Sequence, residues 1–287
     1  MLKRWVKGKK SGINKVNLQS TKQTTYMYTV IVPVDFSETS LNAARYAAQL
    51  LAVHKGVKII LYHSYAKPVQ AENVINALEN IKAELTKDQA LQIEVMAFDE
   101  ADFVDGLEKT ARHHHAHLII MGITGKSAIA QVIFGSNTLK IAERKICPVL
   151  IIPEMASFTP LKNVMLTSDF KNTIETTPSG LIKNFLDAFK PQLHIVNVDK
   201  EHYISLTENY ENEKQELKKM FADYNPEFYF MRLYDVDEAI NLFAESRNID
   251  LIIAIQKNHS FIGKLLSSHR TKKLSYHSKM PILVMHE

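Results

Sequence analysis

"MGITGKSAIAQVIFGSN", Met121–Asn137, sets Gly-Lys-Ser directly behind an apolar run. A P-loop is the first candidate, and with it an NTPase. That motif, G-x-x-x-x-G-K-S, requires a glycine where this chain has Ile120, inside the apolar run itself. The turn that would wrap a phosphate is missing, so Lys126 and Ser127 do not make a Walker loop. A different pattern is present. Gly122 closes the strand-like run "HLIIMG", Gly125 follows after two residues, and Gly135-Ser136 follows after nine more. Asn137 to Lys145 reads as a short helix, so the pattern spans a strand, a loop and a helix start.

Outward from this stretch the chain alternates. "YTVIVPV" reads as a buried strand ended by "DFSETS". From Ser37 a helix is expected, with alanines and leucines at helical spacing and Gly56 beyond its end. "VKIILYHSY" is the next strand, Gln70 to Asp88 a helix, "LQIEVMAF" a strand, "DFVDGLEKTARHHHA" a helix, and "PVLIIP" the closing strand. Continuous apolar strands alternating with helices predict a parallel sheet covered on both faces. The fold class expected is α/β, two tandem Rossmann-like domains, each with a five-stranded parallel core. The duplication rests on two alignments. Val30–Phe36, "VIVPVDF", matches Val164–Phe170, "VMLTSDF", and the segment from His117 matches the segment from Asp250 without gaps. The expected boundaries are 28–153 and 161–287, joined by a Pro-containing linker, with residues 1–27 as a basic tail.

The glycine pattern, Asp35 in "VPVDFSETS" and the last strand "CPVLIIP" resemble the universal stress protein family, whose motif is G-2x-G-9x-G-S. The resemblance covers nearly the whole chain from residue 28, as two copies. It implies an adenine nucleotide alpha hydrolase-like fold and binding of ATP or a related adenine nucleotide, with Mg²⁺ beside the phosphates. It also implies a cytoplasmic stress-response role. In the first half it assigns to the nucleotide Pro33, Val34 and Asp35 at the end of the first strand, and Ser64 on the second. It adds Met121, Gly122, Gly125, Lys126, Gly135, Ser136 and Asn137. Physical chemistry points the same way. In open parallel sheets ligands sit beyond the carboxyl ends of the strands. Gly122 and Gly125 permit close backbone approach and positive φ. Gly135-Ser136 opens a helix whose free N–H groups attract an anion, and Lys126 adds a cation. Each residue alone also has a plainer explanation: a glycine serves a turn, Ser136 an N-cap, Asp35 an Asx-turn.

The second half departs from the pattern. Gly122 corresponds to Ile255, Gly125 to Asn258, Gly135 to Ser268 and Ser136 to His269, while Asp169 stands opposite Asp35. No nucleotide is expected there by this motif. The resemblance implies pairing through the last strands, here "PVLIIP" with "PILVMHE" inside one chain, and leaves a homodimer and a protein partner open.

Composition agrees with a globular chain: 287 residues, 46% hydrophobic and 23% charged. The net charge of +4 is concentrated in the first 28 residues, where seven basic residues meet no acidic one; the remainder carries −3. The tail lacks an apolar core for a secretory signal. It reads as a plain appendage, or as the product of an upstream start before Met27, more readily than as an arm for nucleic acid or acidic lipid. The basic stretch from Lys257 to Lys279 reads as a solvated face. A single cysteine, Cys147, fits a reducing compartment and a packing role. His113, His114, His115 and His117 cluster at a helix end, where imidazoles are ordinary; no metal is expected. Catalysis has little support beyond Asp35 as the base of a slow ATPase, the enzyme rival to a binding protein; a ligand-free scaffold is the third.

Overall fold

The computed structural model describes residues 28–65, 71–100, 102–123, 136–197, 208–231, 236–256 and 280–287. The first half contributes β1 (Tyr28–Pro33), α1 (Glu38–Leu51), β2 (Val57–Tyr65), α2 (Ala71–Thr86), β3 (Gln92–Asp99), α3 (Phe103–His113), β4 (Leu118–Ile123), α4 (Ser136–Glu143) and β5 (Val149–Pro153). The second contributes β6 (Asn163–Ser168), α5 (Thr173–Thr176), α6 (Ser179–Phe189), β7 (Gln192–Asn197), α7 (Glu208–Met220), β8 (Glu227–Phe230), α8 (Val236–Ser246), β9 (Leu251–Gln256) and β10 (Ile282–His286).

These strands form one sheet in the order β3-β2-β1-β4-β5-β10-β9-β6-β7-β8. The order reads the same from either edge: 3-2-1-4-5 for the first half and its counterpart 8-7-6-9-10 for the second. Pairing is parallel throughout except at the joint, where β10 runs antiparallel to β5 with Ile282 opposite Ile151 and Val284 opposite Val149. Side chains alternate across the sheet. Val30, Val32, Leu150, Leu166 and Leu283 therefore face one layer of helices, and Ile31, Ile151, Met165 and Ile282 face the other.

Local chemistry sets the element ends. Ser37, in extended conformation, caps α1 by accepting from the Ser40 amide. Asp102 caps α3 in the same way through the Asp105 amide, 3.0 Å away. α3 was expected to run through the histidines. It stops at His113, and His115 takes φ 47°, a left-handed value that ends helical propagation. Cys147 is buried and unbonded to any other sulfur, and burial pushes its thiol up to about 12, as for an inert packing residue.

The segment between β5 and β6 is clamped rather than loose. Asn42 of α1 donates to the carbonyls of Ala156, 2.9 Å, and Pro153, 3.3 Å. Phe158 meets Tyr46 edge-on at 5.4 Å. The Asp250 carboxylate accepts from the amides of Lys162 and Asn163 at 2.8 and 2.9 Å. Among the described residues no helix is long and apolar enough to cross a membrane.

Candidate functional site

In the first half the winding direction changes between β1 and β4, which opens a crevice beyond their carboxyl ends. Pro33, Val34 and Asp35 form one lip. Pro33 and Val34 are buried, and Asp35 is exposed at the tip. β1 stops at Pro33, paired with Tyr62. β2 continues through Ser64, which pairs with Phe98 of β3 on its other side. Beyond Tyr62 the β1-facing edge of β2 is therefore free of a strand. His63 Nδ1 lies 2.6 Å from the Val34 carbonyl and holds the two lips together.

Asp35 is built into a tight turn. Its Oδ1 accepts from the Ser37 amide at 3.0 Å and the Ser37 hydroxyl at 2.5 Å. Its own amide donates to Ser40 Oγ at 3.2 Å. This is the Asx-turn alternative, and it serves to start α1. Phe36 follows at φ 65°, a conformation that costs a non-glycine residue about 1–2 kcal/mol. Its ring packs on His63, centroids 4.8 Å apart. Partial burial raises the Asp35 carboxyl, but the hydrogen bonds from Ser37 and Ser40 outweigh it and hold the group below the usual carboxylate range.

Gly122 corrects one expectation. It was expected to supply positive φ and approach to a ligand. It lies instead inside β4, in parallel register with Ile152, and its φ is not positive. A Cβ there would stand 2.6 Å from the Thr39 carbonyl oxygen and 2.7 Å from its methyl. Glycine is required at 122 because the first turn of α1 rests on it. Met121, beside it, is buried in the opposite face.

The far wall is the start of α4, at Ser136 and Asn137. Its first turn holds no carboxylate. Thr138, almost fully buried, donates to the Gly122 carbonyl at 3.1 Å. That bond ties the two ends of the glycine pattern together. Sequence reasoning missed Thr138, His63 and Thr39, because a threonine on a helix and a histidine on a strand carry no motif. Gly125, Lys126 and Gly135 lie outside the described residues, as do the basic tail and the basic stretch 257–279.

The second half makes the same turn and then diverges. Asp169 Oδ1 accepts from the Lys171 amide at 3.1 Å, and Phe170 has φ 53°. After it the helix is broken: α5 has four residues, and α6 restarts after Pro178. Thr173, the counterpart of Thr39, donates its amide and hydroxyl to Glu213 of α7 at 2.8 and 2.6 Å. Tyr210, one turn earlier on α7, lies against Phe170 at 5.3 Å. Ile255, the counterpart of Gly122, is buried in β9.

The histidine run holds no shared centre. His117 Nδ1 accepts from the Thr29 amide at 3.2 Å, and its own amide donates to the Thr29 carbonyl. Among the described residues no three histidines, cysteines or carboxylates are grouped to hold a metal.

The fold defines a Rossmann-like α/β protein with a switch-point crevice in its first half. Residues 27–153 match the model of the universal stress protein family. A universal stress protein of Methanocaldococcus jannaschii is 23% identical over 136 residues, 43% of this chain and 80% of the relative. Another, from Thermus aquaticus, is 25% identical over 136 residues, 43% of this chain and 97% of the relative. The crystal structure of a universal stress protein from Archaeoglobus fulgidus superposes with a TM-score of 0.65. It is 16% identical and covers 92% of this chain and 98% of its own. At that identity the likeness is one of fold, and it extends over both halves.

Proposed function

We propose that the chain is a tandem universal stress protein of two domains, 28–153 and 161–287. In this proposal the first domain binds ATP or a related adenine nucleotide and the second has lost that capacity. The observation that carries the proposal is the placement of the glycine pattern. Gly122 lies near the end of a central strand at the switch point, Ser136 starts a helix, and Thr138 donates to the Gly122 carbonyl. A helix start without a carboxylate, bonded to a central strand, is suited to a phosphate chain. The α4 N-terminus, without a carboxylate, fits an anion. Gly125, Lys126, Gly135, Ser136 and Asn137 would hold the phosphates, with any Mg²⁺ carried by them. The open edge of β2 at Ser64 would meet the adenine, and Pro33, Val34 and Asp35 the adenine and ribose.

In this proposal the role is regulatory: bound nucleotide sets the conformation of residues 122–136 and alters a surface read by a partner. Asp35 serves the turn and the sugar rather than turnover. A carboxylate held ionised by Ser37 is a weaker base than a free one, so hydrolysis gains no support from it. Calorimetric titration with ATP tests the proposal. Saturable binding that Lys126→Glu weakens strongly is expected; no binding of any adenine nucleotide would overturn it.

A further inference from the structure

The two outer edges of the sheet are built alike and charged differently. In the first half Ile60 of β2, fully buried, lies opposite Glu94 of β3. Its counterpart in the second half is His194 of β7, which lies opposite Glu227 of β8. The His194 side chain is only 5% exposed. Each edge strand thus sets a carboxylate beside the same position. Glu94 is paired with Lys58 at 3.3 Å. The counterpart of Lys58 is Gln192, which carries no charge. Glu227 instead accepts from the Tyr229 hydroxyl, and the same oxygen, Oε2, lies 3.5 Å from His194 Nδ1. A fixed cation beside one edge is replaced by a titratable ring beside the other.

The hydrogen bonds locate the imidazole proton. His194 Nε2 lies 3.3 Å from Asn163 Oδ1. The Asn163 amide is oriented by its nitrogen, which donates to the Asn248 carbonyl at 3.4 Å. An amide oxygen only accepts, so the ring proton sits on Nε2. Nδ1 is then a bare lone pair, shielded from solvent, without a hydrogen-bond partner and facing a carboxylate oxygen. Two opposed acceptors gain nothing from each other. A proton on Nδ1 would join them in a charge-assisted hydrogen bond. In the first half an isoleucine fills this position with no polar atom to satisfy.

The remaining surroundings are described by three elements. Met165 of β6 pairs with His194. Tyr229 of β8 and Phe243 of α8 flank the ring at 5.9 and 6.1 Å. Arg247 of α8 stands over Tyr229 at 5.0 Å. Burial, the largest influence, lowers the His194 imidazole; Glu227 raises it and Arg247 lowers it, and the balance lies below the ordinary value of about 6.5. The neutral ring's contribution to stability is therefore complete above about 6.5. It is lost as pH falls through the lower, folded value.

We propose that His194 is a proton-operated switch at the outer edge of the second half: when Nδ1 takes up a proton, Glu227 leaves the Tyr229 hydroxyl for an ion pair with the imidazolium. Glu227 is exposed and Tyr229 partly so, on the outermost strand, so the change is presented at the surface. The switch is independent of the nucleotide crevice.

A pH titration of the full chain, followed by NMR of the imidazole nitrogens and of the tyrosine rings, tests it. His194→Ile, the residue of the first half, assigns the signal; His194→Gln does so should that variant not fold. At neutral pH the proton is expected on Nε2, and the midpoint should lie below that of free histidine. Glu227→Gln should move the midpoint further down and Arg247→Gln should move it up. Both replace exposed side chains, so the signs can be read in folded protein. Tyr229 signals should change with the His194 midpoint. A proton on Nδ1 at neutral pH, a midpoint indifferent to Glu227→Gln, or Tyr229 signals that do not follow His194 would each overturn the assignment.

Discussion

The crevices of the two halves begin with the same turn and end differently, and the difference isolates what the proposed nucleotide site needs. Both place an aspartate after the central strand, accept an amide two residues on, and force a phenylalanine into left-handed conformation. The turn is therefore a property of the scaffold, not of a ligand. In the first half α1 then runs unbroken, and its first turn rests on Gly122. In the second, isoleucine replaces that glycine, the helix breaks, and its first piece is held by Glu213 of α7. A side chain at 255 and an undisturbed helix would not fit together, since a lone Cβ at 122 already comes within 2.6 Å of backbone. The glycine and the continuous first helix vary as one unit.

Making the first half resemble the second should have the largest effect. Gly122→Ile must push the first turn of α1 off β4. A loss of about 1–3 kcal/mol in urea unfolding is expected for such overpacking, with nucleotide binding lost in titration. A variant that retains both would separate the glycine from the helix. Removing the clamp on the other side comes next. Glu213→Ala leaves the Thr173 amide without its acceptor and its hydroxyl with only the residue 213 carbonyl at 3.4 Å, for about 1–2 kcal/mol. Faster hydrogen exchange at Thr173–Thr176, with α1 unchanged, would show that α7 holds α5. Thr138→Val is smaller. It removes one nearly buried hydrogen bond, about 1 kcal/mol, and should weaken ATP more than it lowers the unfolding midpoint.

The smallest effect concerns pH. The folded Asp35 carboxyl titrates below its unfolded value of about 4, so its contribution is complete above that value. It fades as pH falls through the lower, folded one. The group is exposed and the contribution is correspondingly small. Acid unfolding of Asp35→Asn should show a shallower loss of stability below about pH 4. An identical acid limb would mean that Ser37 does not hold the carboxylate ionised.

The α/β class was legible because its signal is long and periodic: apolar strand runs, amphipathic helices and Pro148 ahead of β5. The crevice was legible in part. Asp35, Gly122 and Ser136 fall at its edges because strand ends and helix starts carry their own chemistry. The reason for Gly122 was not legible, since its partner Thr39 is remote in sequence and a glycine does not announce what it touches. Thr138 and Glu213 were invisible for a related cause. Each makes its decisive bond to a backbone group that only the fold brings near, and neither belongs to a pattern with a period. The break after α5 had a sequence mark in Pro178, but proline states only that a helix stops, not what receives it.

The most direct test of the proposed asymmetry is to denature the purified protein and count released adenine nucleotides per chain by mass spectrometry, after saturation with ATP and removal of excess. One per chain is the predicted result, with Gly122→Ile reduced to none. Two per chain would contradict the account, because it would place a nucleotide in a crevice whose glycine is gone and whose first helix is broken.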